Sequence, residues 1–568
     1  MGMKTMTEPS NAPIETPEEP LKSASEAKTE RRADRSKVKS GKRSGLRTVF
    51  GVLSGVGIVV VAGAVVAAGT IAPGNSASVA IEPQSANLPA GQSISHCPGP
   101  AQLPQGSSDG TDPQFSPAST TAKTQISALV SANPQAILPN SALTQLDPGS
   151  TMLSSISQQP AEVPTPEPGS APSPGKAAIL GSFDVSGPTV LRADPVAKQR
   201  TPAAAVQVYT SNDGDLRGLA AASCQVPAND LWLVGTSTDI GRTAILTLAN
   251  SSATAATVNL DLFGSNGVVQ AAGGKGLLVP AGSSRSIVLA GLAAGQKDLA
   301  VHAKSNGGPV SAVIQQSVLR GLTPGGVDYL TPVAAPNQAQ VITGVQTLDP
   351  TVASDIAGQA GYQDAQTALQ VAVPGASDSV VQVQVFSQGG QANLPNGGVF
   401  TAKAGSVTEL PLSGLPAGTY TVQVSAQTAI TATVRSVRGS KAADPVDIAN
   451  AGASLKLTDN QLLVLPAGAP SKISFGAPAG KGQLSLTPIG TDGTFQPAKS
   501  LDVPGGSTVV VDPAQLSGGP VLGFLVSASG DPVYGAQVLS QTDGNGLAIL
   551  GLPRSAPSAQ SLKVALGY

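Results

Sequence analysis

The sequence predicts a mainly β protein: one transmembrane helix followed by tandem β-sandwich domains of immunoglobulin or fibronectin-III type. Three observations carry this reading. Residues 48–72 are uncharged and apolar, Val, Thr, Ala and Leu run in short alternating segments between Gly, Pro, Ser and Asn, and one order of strands and glycine turns recurs three times after Cys224. Of 568 residues only 12% are charged and 3% aromatic, while glycine (65) and proline (47) are abundant. That balance excludes an acidic disordered chain and a helix-rich one.

Residues 1–47 are rich in Glu, Lys, Ser and Pro, lack apolar periodicity, and are expected to form a disordered basic cytoplasmic segment. No charged side chain lies between Arg47 and Glu82; Val49–Ala72, read as a 24-residue helix, is long enough to cross a bilayer. Residues 31–47 carry eight basic side chains against Asp34 alone, a net of +7, so the N-terminus is expected inside and the chain from about 73 onward outside. The rival is a cleaved signal peptide with a small-residue site at Ser78-Val79-Ala80; the long apolar core and the 47-residue N-region favour an uncleaved anchor in the cytoplasmic membrane. Gly51 and Gly55 form a GxxxG pair that can let two such helices approach closely, and the sequence sets no oligomeric state.

Residues 73–225 read as a stalk and an irregular first extracytoplasmic domain. Thr121–Ser131 suits a short helix or a strand, and the Pro-rich stretch from Gln159 to Gly175 suits a loop. Cys97 and Cys224 are the only cysteines; both fall outside the membrane, where a disulfide is expected rather than a metal or catalytic site.

The repeats follow. VNLDLF (258–263), VQVQVF (381–386) and LSLTPI (484–489) each lead, four residues past their last member, to Gly267, Gly390 and Gly493. Gly282 and Gly295, Gly405 and Gly418, and Gly506 and Gly519 are each 13 apart. Turns that need φ > 0 place glycine at such points. With opening strands at 230–235, 339–344 and 461–466, sandwich repeats are expected at 226–334, 335–445 and 446–568, domain-sized rather than solenoid units.

Chemistry is sparse. The outer part holds 22 basic and 28 acidic residues, so no nucleic-acid partner is expected; the basic run at 31–47 is a topogenic signal that touches lipid. His96 adjoins Cys97, but an oxidised cysteine is no nucleophile. His302 in LAVHAKS is expected to face solvent as an ordinary surface histidine. Asn212-Asp213-Gly214-Asp215 has a faint calcium-loop look without the later bidentate glutamate, and it reads as a turn, as does Asp543-Gly544-Asn545-Gly546. Glycan platforms use exposed aromatics, whereas Trp232 sits in an alternating apolar strand and is expected in a core. No catalytic, cofactor or metal residues emerge.

Cys97-Pro98-Gly99-Pro100, the Trp232 strand Asp230–Gly235 and Gly241–Asn250 give the chain a resemblance to an actinobacterial family of unknown function, family 5719, over roughly residues 90–568. The family's Asn-Pro turn is here Asn250-Ser251. The resemblance implies a membrane-anchored Gram-positive envelope protein and supplies no catalytic residues. The expected role is a non-enzymatic scaffold or binding protein with an envelope-protein or glycan partner; the alternative is an accessory subunit of a membrane-embedded enzyme such as a glycosyltransferase.

Overall fold

The computed structural model describes residues 84–568 except 89, 105, 107–116, 134, 160–174, 197–198, 442–443, 543, 554–559 and 565–568. The segment 1–47, the transmembrane helix 48–72 and residues 73–83 lie outside the described residues. Among the described residues no helix is long and apolar enough to cross a membrane.

The described residues open with β1 (Gln84–Leu88) and then build four modules in sequence. The first holds β2 (Ser93–Cys97), β3 (Lys123–Ser131), β4 (Ser141–Gln145), β5 (Met152–Ser157), β6 (Ala177–Asp184), β7 (Thr189–Ala193), β8 (Ala203–Ser211) and β9 (Gly218–Ser223). They form two four-stranded antiparallel sheets, β2-β7-β4-β5 and β6-β3-β8-β9. Cys97, Ile126, Leu143, Leu191 and Cys224 pack between them.

The second module holds β10 (Asp230–Thr236), β11 (Arg242–Asn250), β12 (Ala256–Gly264), β13 (Gly267–Val269), β14 (Leu277–Val279), β15 (Ser283–Val288), β16 (Leu299–Gly307), β17 (Ser311–Arg320) and β18 (Thr323–Leu330). Its sheets are β10-β16-β12-β13, with β14 also on β12, and β15-β11-β17-β18. In β12 the residues Ala256, Val258, Leu260 and Leu262 alternate into the core, as period-2 patterning requires.

The third holds β19 (Asn337–Thr347), helix α1 (Pro350–Ala357), β20 (Ala368–Ala372), β21 (Ser379–Ser387), β22 (Gly390–Ala392), β23 (Val399–Ala402), β24 (Val407–Pro411), the 21-residue β25 (Gly418–Arg438) and β26 (Asp447–Gly452). β25 serves both sheets: its first half pairs β19 and β21, its second half β20 and β26. The fourth holds β27 (Gln461–Val464), β28 (Ser471–Ala477), β29 (Gly482–Gly490), β30 (Lys499–Val503), β31 (Ser507–Val511), β32 (Val521–Gly530), β33 (Tyr534–Ser540) and β34 (Leu547–Gly551). Its sheets are β27-β32-β29-β30 and β31-β28-β33-β34. β35 (Gln560–Val564) returns to pair antiparallel with β1.

One strand order therefore occurs four times. The stretch expected to be an irregular stalk is itself such a module, and Lys123–Ser131 is a strand. The last strand of the third module, Asp447–Gly452, lies beyond the boundary drawn at 445. The order also differs from an immunoglobulin sheet, where the first strand flanks the second. Here the opening strand (β2, β10, β19 or β27) flanks the sixth position, and an eighth strand follows at the end of the other sheet.

The turn glycines explain the spacing seen in sequence. Gly267, Gly390 and Gly493 have φ of 127°, 107° and 80°, and Gly282, Gly405 and Gly506 have 62°, 64° and 66°. Of the remaining three only Gly295 is left-handed (64°); Gly418 opens β25 instead.

The four modules close on one another. Tyr209, Ala220 and Ala222 of the first pack on Val313, Val327 and Tyr329 of the second. Trp232 and Phe263 of the second meet Ala372 and Val407 of the third. The third module's core takes in Ala536, Leu547 and Ile549 of the fourth. Leu462, Leu539 and Leu550 of the fourth join Val206, Leu219 and Ala221 of the first. The result is a ring with β9, β18, β26 and β34, the last strand of each module, around its axis.

Candidate functional site

The axis is organised by one side chain. Asp447 opens β26, and its carboxylate faces the other three inner strands. Oδ2 accepts the backbone N–H groups of Leu219 (3.0 Å) and Leu547 (3.0 Å); Oδ1 accepts those of Val327 (3.1 Å) and Ile448 (2.9 Å). Each module thus donates one N–H from the same place in its last strand. The residue before that N–H is Gly218 in the first module, Gly326 in the second and Gly546 in the fourth. A Cβ on Gly218 would stand 3.0 Å from both Asp447 oxygens, and one on Gly326 would collide with Oδ1. Two glycines make room for the carboxylate, while a Cβ on Gly546 would press on Gln541 and Leu219 instead.

Asp328, also buried, bridges the second and third modules one residue further along. Its Oδ2 accepts the backbone N–H of Asn450 (2.8 Å) and the Asn450 side-chain amide (3.0 Å), and Oδ1 accepts the N–H of Tyr329 (2.9 Å). Full burial outweighs the hydrogen bonds at both acids, holding Asp328 at about 7 and Asp447 at about 8. Both Asp447 oxygens are occupied by backbone donors, so the group is an anchor and not an acid–base catalyst. Above it lies a cavity of ≈ 20 Å³, the space of one water, lined by Asn212, Arg217, Pro324, Pro445, Gln541 and Asn545 among others.

The seams between modules are polar too. The Gln207 side chain accepts from Gly99 N (2.8 Å) and donates to Gly99 O (2.5 Å), Gln315 does the same for Gln102 (2.8 and 2.7 Å), and the Tyr329 hydroxyl donates to Gly99 O (2.9 Å). The Cys-Pro-Gly segment is therefore a strap held between the first two modules. Gly99 has φ 89°, and a Cβ there would stand 2.8 Å from Pro188 N. At the second seam Asp364 takes Arg242 (Nη2, 2.6 Å) and the fully buried Arg320 (2.5 Å), whose guanidinium lies 4.5 Å over the Tyr362 ring. Burial raises Asp364, but the two arginines outweigh it and hold the carboxyl at about 2. In the same seam Gln370 donates to Asp298 (2.5 Å), while Glu409 pairs with Arg435 (2.8 Å) and Lys297 (3.0 Å). Burial and the Glu409 charge lift Asp298 to about 6.

Cys97 and Cys224 form a disulfide, Cα–Cα 4.4 Å, joining the end of β2 to the residue after β9. His96 is buried, and neither ring nitrogen has a protein partner; burial pulls it down to about 4. His302 does not face solvent. It stacks on Trp232 (centroids 3.8 Å) and meets Asp230 (2.9 Å), because the outer face of its sheet is covered by the third module. Trp232 is buried in that seam rather than in a sandwich core, which leaves it unavailable to a glycan. Asp213 accepts from the hydroxyls of Ser119, Thr120 and Thr121 and ties down that loop, consistent with a turn. Asp543 lies outside the described residues.

Among the described residues no group of three or more His, Cys, Asp or Glu could hold a metal ion. Asp447, Asp328 and Asp364 escaped sequence reasoning. One signal was present: aligned on the inner strands, Arg217-Gly218-Leu219, Gly325-Gly326-Val327 and Asn545-Gly546-Leu547 face Val446-Asp447-Ile448, where an acid replaces the glycine.

A family model described as "Family of unknown function (DUF5719)" matches residues 180–514, more than half of the chain. No curated protein and no solved structure matches.

Proposed function

The chain belongs to this family of unknown function, and we propose that it is a non-enzymatic cell-envelope protein, anchored by residues 48–72 with its N-terminus inside, that displays the ring outside the cytoplasmic membrane as a scaffold or binding platform. The observation that carries the reading is the axis, where one module's carboxylate is saturated by backbone N–H groups from all four. Such a ring holds four sets of peripheral loops in fixed relation. The +7 flank before an uncharged stretch supports the orientation, and the Cys97–Cys224 bond supports an oxidising compartment.

Labelling intact protoplasts with a membrane-impermeant amine reagent tests this. Lys275, Lys403 and Lys481 should react, while Lys37, Lys39 and Lys42 react only after the membrane is opened. Labelling in the reverse pattern, or a mature chain starting near Val79 or Ile81, overturns the anchored topology. Capture of a stoichiometric polytopic enzyme from solubilised membranes would replace the platform reading by that of an accessory subunit.

A further inference from the structure

The four modules differ at one end. In the second, the loop after β10 is sewn to the loop after β15: Thr238 donates its hydroxyl to Ala293 O and its N–H to Gln296 O (2.9 Å), and Leu289 and Ala293 fill the space beneath. In the third, Thr347 Oγ1 bonds Pro416 O (2.6 Å) over Leu412 and Leu415. In the fourth, the loop after β27 is drawn toward the first module instead, where Ala467 N donates to Ser127 Oγ (3.2 Å). This end of the fourth module stays open as a cavity of ≈ 590 Å³, within the range of small-ligand sites.

Leu465, Pro513 and Val521 give the cavity apolar walls, and Lys472 and Asp512 bring opposite charges to it. Lys472 lies near the start of β28 and Asp512 just past the end of its neighbour β31, since Ile473 pairs with Val511, yet neither enters an ion pair among the described residues. Asp512 Oδ1 caps the following turn by accepting Ala514 N (3.0 Å). We propose that this cavity is a binding site for a short dipolar ligand, a free short peptide, whose anionic C-terminus meets Lys472, whose cationic N-terminus meets Asp512, and whose stem lies on Leu465, Pro513 and Val521. The site goes beyond the platform reading and does not depend on membrane topology, so the amine-labelling result and the binding result stand separately.

The test is saturation-transfer NMR and calorimetry on the full chain in detergent micelles, with tri-alanine as probe. Saturable millimolar binding is expected, weakened about tenfold by amidating the C-terminus and about tenfold by acetylating the N-terminus, each step a single lost charge contact. Lys472→Gln should erase the effect of amidation, and Asp512→Asn, which can still cap the turn, should erase that of acetylation; unchanged melting temperatures show that both variants fold. No saturable binding at about 10 mM tri-alanine, or binding indifferent to both substitutions, overturns the proposal.

Discussion

Asp447 and Asp364 are both acids that join modules, and they solve burial in opposite ways. Asp447 meets only neutral backbone donors, so desolvation dominates and its carboxyl is raised to about 8. Asp364 meets two guanidinium groups, whose charge overrides desolvation and lowers it to about 2. Neutral donors fix geometry symmetrically, one per module, and a single arginine could not reach all four strands. Ion pairing suits a seam between two partners; a shared hydrogen-bond acceptor suits a junction of four.

The contrast is broken most severely at the axis. Asp447→Ala leaves four buried N–H groups without partners, and at roughly 1–3 kcal/mol each the ring should lose at least about 4 kcal/mol, measured by denaturant unfolding. Arg320→Ala removes one of two charges from a partly exposed acid and should cost less, about 2–3 kcal/mol, since Arg242 remains.

The pH dependence should separate the two acids. A raised carboxyl contributes stability that is full below about 4 and lost as pH rises through the folded value, so the wild-type ring should melt lower at pH 8.5 than at pH 5.5; Asp447→Asn should reduce that difference, leaving the part that Asp328, held at about 7, contributes over the same window. The Asp364 contribution is present above about 4 and lost as pH falls toward 2; Asp364→Asn should remove that acid limb and leave the alkaline one. At the small end, Lys481→Gln deletes an ion pair whose two side chains are 66% and 53% exposed, and melting should barely move.

Strands and turns were legible wherever alternation met glycine at fixed offsets, because inward Val and Leu and left-handed turns leave a mark on sequence. The disulfide was legible from the count, since Cys97 and Cys224 are the only cysteines. The first module was not recognised, since its 25-residue connection from β2 to β3 and the Pro-rich stretch between β5 and β6 break the spacing that the other three share. His302 and Trp232 misled for a different reason. Alternation assigns a side chain to the outer face of a sheet, but it does not say that another module covers that face. Asp447 was invisible for the same cause, as its partners lie 228, 120 and 100 residues away and all present backbone rather than side chains.

The central claim, that one carboxylate couples four modules, is tested most directly by amide hydrogen exchange at Leu219, Val327, Ile448 and Leu547 in the wild type and in Asp447→Ala, which removes the acceptor of all four. The account predicts that all four amides are strongly protected in the wild type and that protection falls at all four together in the variant. Loss confined to Ile448, with Leu219, Val327 and Leu547 unchanged, would contradict it.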